Sequence, residues 1–145
     1  MIEVKEIHSK ETYLVRQSVL RIGKPIASCV FDGDNLPTTK HFGTFVDKEL
    51  VGIVSVFENK NSIFTGGIQL QMRGMAVLEN YQKRGLGNVL IHEVEVYAKS
   101  KKSPTLWFNA RENAIGFYKK LGYSIIDTPF EVGDIGPHYI MYKKF

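Results

Sequence analysis

Apolar and polar residues alternate from Ile2 to Ile7, the period of a half-buried strand. From Glu11 to Ile22 the period changes. Val15, Val19 and Ile22 fall on one helical face, and Gly23 and Pro25 stop that helix. Residues 24–41 are rich in Gly, Pro, Asp, Asn and Thr and read as a long loop, a length that in a small domain tends to carry function. Phe42 to Val46 and Leu50 to Phe57 read as strands joined by the turn Asp47-Lys48-Glu49. Residues 58–67 form a connection. From Ile68 to Leu78 a strand follows, in which Gln69, Gln71 and Arg73 alternate with larger apolar residues. Helical spacing returns from Gly85 to Lys102, with Leu86, Leu90, Val94 and Tyr97 on one face. Thr105 to Phe108 is a short apolar strand. Ala114, Phe117, Tyr118 and Leu121 mark a helix that Gly122 ends. Tyr123 to Ile126 and His138 to Tyr142 are the last strands. The order β-α-β-β-β-α-β-α-β-β mixes hairpins with helical crossovers. It predicts an α/β (α+β) fold, a mixed central sheet flanked by helices.

A length of 145 residues suits one compact domain spanning 1–145. With 43% apolar and 23% charged residues, disorder along the whole chain is excluded. The formal net charge of +4 attracts anions of many kinds without choosing among them. Basic and aromatic residues are not interleaved, and no nucleic-acid motif is present, so a nucleic-acid partner ranks last. Cys29 is the one cysteine, which rules out an internal disulfide and a Cys-rich zinc site; no metal is expected. His92-Glu93 begins like a zinc-protease motif, but Val96 stands where the second histidine belongs. The first residues lack the apolar stretch of a secretory signal, and no run of 18 apolar residues exists. The expectation is a cytoplasmic protein without membrane partners.

Candidate chemistry concentrates at Gln82-Lys83-Arg84-Gly85-Leu86-Gly87, between a predicted strand and a predicted helix. Gly85 and Gly87 let the backbone approach a ligand. The amide groups opening the helix favour negative charge, and Lys83 and Arg84 add two cations. No G-x-x-x-x-G-K-[ST] motif occurs, and Leu90 occupies the third glycine position of G-x-G-x-x-G. Spacing alone leaves two readings open: a diphosphate cradle, or a glycine turn with two solvated cations.

This loop resembles the Q/R-x-x-G-x-G/A signature of the GNAT N-acetyltransferases. Arg73-Gly74-Met75-Ala76-Val77 looks like that family's fourth strand. The stretch from Ala114 to Tyr123 looks like its A-x-x-x-Y-x-x-x-G-F/Y block, and element order agrees over nearly the whole chain. The segments Gly33-Asp34, His41-Phe42-Gly43, Trp107-Phe108-Asn109-Ala110-Arg111 and Gly136-Pro137-His138-Tyr139 further resemble a bacterial branch near ElaA. One position departs: seven residues before the tyrosine, where many members carry a pantetheine-contacting Asn, this chain has Arg111, with Asn109 and Asn113 nearby.

The resemblance implies acetyl-CoA as co-substrate and direct acetyl transfer to an amine. Its diphosphate would lie on Gln82, Lys83, Arg84, Gly85, Leu86, Gly87 and Asn88. Its pantetheine would lie along Met75, Ala76 and Val77, with Asn109 as a further contact. A backbone N–H near Val77 would face the developing oxyanion, a type of contact that contributes about 3–4 kcal/mol. Tyr118 stands at the acid position, although its place on an apolar helical face also fits a core aromatic. His138 is the first candidate for the base, ahead of His41, Glu79 and Glu112, each of which also fits a structural or solvated role. In the resembled family the first helix and its following loop form a wall of the acceptor site. Asp32 and Asp34 there are candidates for holding a cationic amine, or form a surface turn. Arg73 is a candidate partner for an acceptor carboxylate or a structural acid. Cys29 reads as a small buried residue. The acceptor is expected to be a small-molecule amine, and an exposed strand edge is the candidate contact for a homodimer. The reading from another class is a non-catalytic acyl-CoA sensor, which would keep the loop and have no need of Tyr118.

Overall fold

The computed structural model describes residues 1–102, 104–133 and 135–145. The elements follow the predicted order: β1 (Ile2–Ile7), α1 (Tyr13–Val19), β2 (Lys40–Val46), β3 (Glu49–Glu58), β4 (Gln69–Val77), α2 (Leu86–Lys99), β5 (Thr105–Arg111), α3 (Ile115–Lys120), β6 (Ser124–Glu131) and β7 (Pro137–Lys144). The strands form one mixed sheet in the order β1-β2-β3-β4-β5-β7-β6. The β4–β5 ladder is parallel; the ladders of β1–β2, β2–β3, β5–β7 and β6–β7 are antiparallel. The chain divides into two compact units. The first holds Met1–Glu58 and Met72–Tyr97, the second Asn59–Gln71 and Ala98–Phe145.

In the first unit, β2 and β3 form a hairpin. Val46 pairs with Glu49, so the loop is Asp47-Lys48 alone, and Glu49 belongs to the strand rather than to the turn expected for it. Both loop residues are left-handed (φ 47° and 71°), the backbone that matches the twist of a two-residue hairpin. Val51 to Phe57 are all buried, as in a strand covered on both faces. Ile7, Val15, Ile53 and Ala76 form a core cluster, with Val19, Leu20, Phe45, Leu50 and Leu78 packed against it. Leu86, Leu90 and Val94 bury the inner face of α2 as expected. The first helix is shorter than its apolar spacing suggests. Ser9–Thr12 is a 3-10 turn, α1 ends at Val19, and Ile22 is exposed beyond it.

In the second unit, β5 runs three residues past the predicted Phe108. An antiparallel ladder carries it, pairing Thr105 with Lys144 through to Arg111 with His138. The exposed Asn109 and Arg111 alternate with buried Ala110, so a search for an apolar run misses this end. Gln69 and Gln71, which the alternation suggests for a polar face, are buried here. The segment after β3 folds over them. Asn59 Nδ2 donates to Gln71 Oε1 (2.8 Å), the Asn61 amide donates to Gln69 Oε1 (2.6 Å), and Gln69 Nε2 donates to the Phe64 carbonyl (3.2 Å). The Trp107 indole anchors the same segment at the Asn59 carbonyl (2.9 Å).

Gly74 breaks the regularity of β4. Its φ of 65° is left-handed, and an ideal Cβ there would stand 3.0 Å from Cε2 of Phe31. Gly66 has a similar φ of 73° but open space around the same point. Gly66→Ala should therefore show backbone strain alone, about 1 kcal/mol. Gly74→Ala should lose about 1–3 kcal/mol more, because the ring must also move. Chemical denaturation midpoints measured at constant m-value check the difference.

Candidate active site

The loop before α2 is built locally. A 3-10 turn, Glu79–Tyr81, follows β4, and the Gln82 side-chain amide donates back to the Val77 carbonyl at 2.9 Å, closing the loop onto the strand end. Lys83 (φ 63°) and Gly85 (φ 78°) are both left-handed and swing the chain into the helix. The bond from the Val89 amide to the Gly85 carbonyl (3.3 Å) opens the helical ladder. The amides of Leu86, Gly87 and Asn88 precede it and have no acceptor within the helix. Gln82, Lys83, Arg84, Gly85 and Asn88 are exposed, Gly87 is half-buried, and Leu86 is buried as the hydrophobic anchor of the turn. The Arg84 guanidinium lies 5.2 Å from the Tyr81 ring centroid. No Cβ obstructs Gly85, and one at Gly87 would only touch Met75 Cε at 3.9 Å. Open backbone, free amides, the dipole of a 14-residue helix and two exposed cations together suit a diphosphate.

Within the first unit β4 is the last strand of β1-β2-β3-β4. Ala76 belongs to the core cluster, while Met75 and Val77 are half-buried. Arg73 is half-buried as well, with its guanidinium carbon 5.0 Å from the Phe31 centroid and 5.2 Å from that of Phe57. Burial lowers its pKa, and the neighbouring charges of Arg16 and Arg21 act in the same direction.

Asp34 does not face solvent. Its carboxylate forms a forked ion pair with Arg16, Nη1 to Oδ2 at 2.6 Å and Nη2 to Oδ1 at 3.0 Å, and it also accepts the Phe31 amide at 2.8 Å. A guanidinium of the same chain holds the carboxylate suggested for a cationic acceptor; Asp32 beside it is exposed. His41 is likewise engaged at both ring nitrogens, Nδ1 with Ser55 Oγ at 2.7 Å and Nε2 with the Asp34 carbonyl at 2.9 Å, which leaves no lone pair for base work. Burial holds its pKa below the ordinary histidine value, against the Asp34 carbonyl bond and carboxylate. Arg16 is the buried charged residue that sequence reading missed. It sits four positions after Thr12, and both are fully buried.

In the second unit, Tyr118 on α3 packs against Phe108 (4.4 Å between centroids), Phe117 (5.1 Å) and Tyr123 (6.1 Å). Its phenol makes no hydrogen bond to a described residue. Burial pushes its pKa up to about 12. His138 on β7 is buried, with Nδ1 3.0 Å from the Gly136 carbonyl. A carbonyl only accepts, so Nδ1 carries a proton, and in the neutral ring the lone pair is on Nε2. Arg111 pairs with His138 across the ladder and is exposed, as is Asn109, opposite Ile140. Glu79 and Glu112 are exposed at the starts of short turns. Cys29 is buried. Among the described residues no group of His, Cys, Asp and Glu side chains is arranged to hold a metal, and no helix is long and apolar enough to cross a membrane.

The model of the Acetyltransferase (GNAT) family matches residues 4–123. YitI of Bacillus subtilis (strain 168), described as an uncharacterized N-acetyltransferase, is 34% identical over 143 residues, covering 99% of this chain and 96% of its own. The chain belongs to the GNAT family and is an acyltransferase by class. Two solved structures share the fold. Escherichia coli ElaA matches with a TM-score of 0.75 at 18% identity over 99% of both chains. Arabidopsis thaliana NAA60 in complex with acetyl-CoA matches with a TM-score of 0.76 at 16% identity, over 99% of this chain and 98% of that one.

The buried phenol carries a direct test. The folded chain binds the Tyr118 proton more tightly than the unfolded chain does. The resulting stability is complete below pH 10 and is lost as pH rises toward about 12. At full extent it amounts to about 3 kcal/mol. Phenolate absorbance of the native protein, minus that of Tyr118→Phe, should show one group titrating near 12. The variant should also lose less stability than the wild type across that range in urea titrations.

Proposed function

We propose that residues 1–145 act as one catalytic domain that transfers the acetyl group of acetyl-CoA directly to a primary amine. The observation that carries the reading is the open loop from Gln82 to Asn88, with three helix-opening amides free for an anion, in a chain of this family. Gln82, Lys83, Arg84, Gly85, Leu86, Gly87 and Asn88 hold the diphosphate, with Leu86 acting through its backbone. The backbone of Met75, Ala76 and Val77 holds the pantetheine, and Asn109 is an exposed further contact. Bound acetyl-CoA supplies an activated acetyl group and a thiolate leaving group.

An alkylamine with a pKa near 10.4 is neutral in about one molecule in 2,500 at pH 7, so freeing it requires about 4.6 kcal/mol. His138 takes the role of base. Its Nδ1 proton is held by Gly136, which turns the Nε2 lone pair into the acceptor. Tyr118 is the acid. At a pKa of about 12 its Oη stays protonated at neutral pH, but full transfer to a thiolate of ordinary pKa, about 8.5, is uphill by about 5 kcal/mol. Tyr118 therefore serves first as a hydrogen-bond donor to developing charge on sulfur, and the proton follows as that charge grows. Arg73 and the wall formed by α1 and the following loop face the acceptor.

Thiol release with acetyl-CoA and a panel of spermidine, L-alanine, tobramycin and a lysine peptide tests the reading. Acetyl-CoA binding without turnover on any of them would favour a sensor. Tyr118→Phe should lower kcat about tenfold or more and leave the acetyl-CoA Kd nearly unchanged. An added Cβ at Gly87 meets nothing closer than 3.9 Å, so Gly87→Ala should keep its Tm while acetyl-CoA binding weakens. The expected weakening is about tenfold, measured by calorimetry. His138→Ala should remove the acidic limb of the kcat/KM profile; an unaltered limb assigns the base elsewhere.

A further inference from the structure

Arg16 lies on α1 with none of its surface exposed. Besides its forked pair with Asp34, Nη1 donates to the Cys29 carbonyl (2.7 Å) and Nη2 to Ser55 Oγ (3.0 Å). Hydrogen-bond directions in the cluster then follow from chemistry. His41 Nε2 donates to the Asp34 carbonyl; in the neutral ring Nδ1 then accepts, and the Ser55 hydroxyl donates to it while accepting from Arg16. The network accommodates a neutral His41, and the burial of that ring favours that state. Arg16 thereby bonds α1 to the segment from Cys29 to Asp34 and to β3.

The guanidinium also lies 3.8 Å from the Phe31 ring centroid. Phe31 is held three ways: by that stack, by its amide on Asp34, and by the bare backbone of Gly74. Arg73, next to Gly74, makes no hydrogen bond or ion pair among the described residues. Its guanidinium is positioned by the rings of Phe31 and Phe57. Where Phe31 sits therefore decides where Arg73 sits.

We infer that Arg16 is a positioning residue for the acceptor: through Asp34 and Phe31 it fixes the Arg73 guanidinium and so sets acceptor affinity without touching substrate. The inference rests on the proposed acceptor role of that wall. Arg16→Ala would strand a buried carboxylate, so two gentler changes serve. Ser55→Ala removes one bond from Arg16. Arg16→Met combined with Asp34→Leu removes both buried charges together, a replacement proteins often tolerate. The acceptor is whichever of the four panel amines the wild type acetylates fastest. The paired variant should raise the acceptor KM about tenfold or more, and Ser55→Ala should raise it less. In both, kcat at saturating acceptor and the acetyl-CoA Kd should stay within about twofold of wild type. Adding Arg73→Gln to the paired variant should raise KM no further, because both changes remove the same positioned group. If the paired variant does not fold, the same cycle is run with Ser55→Ala. Unchanged acceptor KM, or fully additive effects with Arg73→Gln, overturns the inference while the acetyltransferase reading stands. A wild-type chain that binds acetyl-CoA and acetylates none of the four amines overturns that reading and the inference with it.

Discussion

The forked ion pair between Arg16 and Asp34 is the interaction on which the first unit depends. Removing both charges from water costs several kcal/mol per ion, and attraction alone rarely returns it. Here the deficit is offset by saturating the pair with hydrogen bonds, to the Cys29 carbonyl, Ser55 Oγ and the Phe31 amide. Among the described residues, only Nε of the guanidinium is left without a partner. The pair and its bonds join α1, the long loop and β3. A loop rich in Gly, Pro and Asp, which has little helix or ladder bonding of its own, is thereby given one conformation.

The loop before α2 is held differently. Its geometry comes from neighbouring residues: two left-handed positions, a side-chain amide bonded five residues back, and the unpaired amides that any helix start must have. Almost nothing distant is required, which is why a turn of this kind can be read from a short stretch of chain. Gly74, left-handed within β4, shows the other regime. Its need for glycine comes less from φ than from the Phe31 ring beside it, and that ring comes from a distant part of the sequence.

Tyr118 illustrates what packing does to a reactive group. A phenol among Phe108, Phe117 and Tyr123 has little water to stabilise its anion, so it keeps its proton far above neutral pH. The same burial that makes it a poor free acid makes it a strongly preferred neutral donor. Core aromatic and acid are thus compatible descriptions of one residue. His138 is oriented by a single backbone carbonyl, which selects the tautomer of the neutral ring with its lone pair on Nε2.

The order of elements, the buried face of α2 and the helix-start loop were legible in the sequence, because each rests on periodicity or on neighbours a few residues apart. The buried Arg16 was not, since nothing in Tyr13-Leu14-Val15-Arg16 distinguishes a guanidinium in solvent from one whose partner lies at position 34. Gln69 and Gln71 read as a solvated face until the segment after β3 covers it, and β5 seemed to end at Phe108 until β7 supplied the ladder that carries it to Arg111. Asp34 and His41 show the same limit for the site. As residue types they fit acceptor binding and base catalysis, but their partners in the folded chain occupy the carboxylate and both ring nitrogens. By itself the sequence determined what local periodicity and local turns can specify. Tertiary structure decided which polar groups are already paired, because burial and ion pairing join residues far apart in the chain.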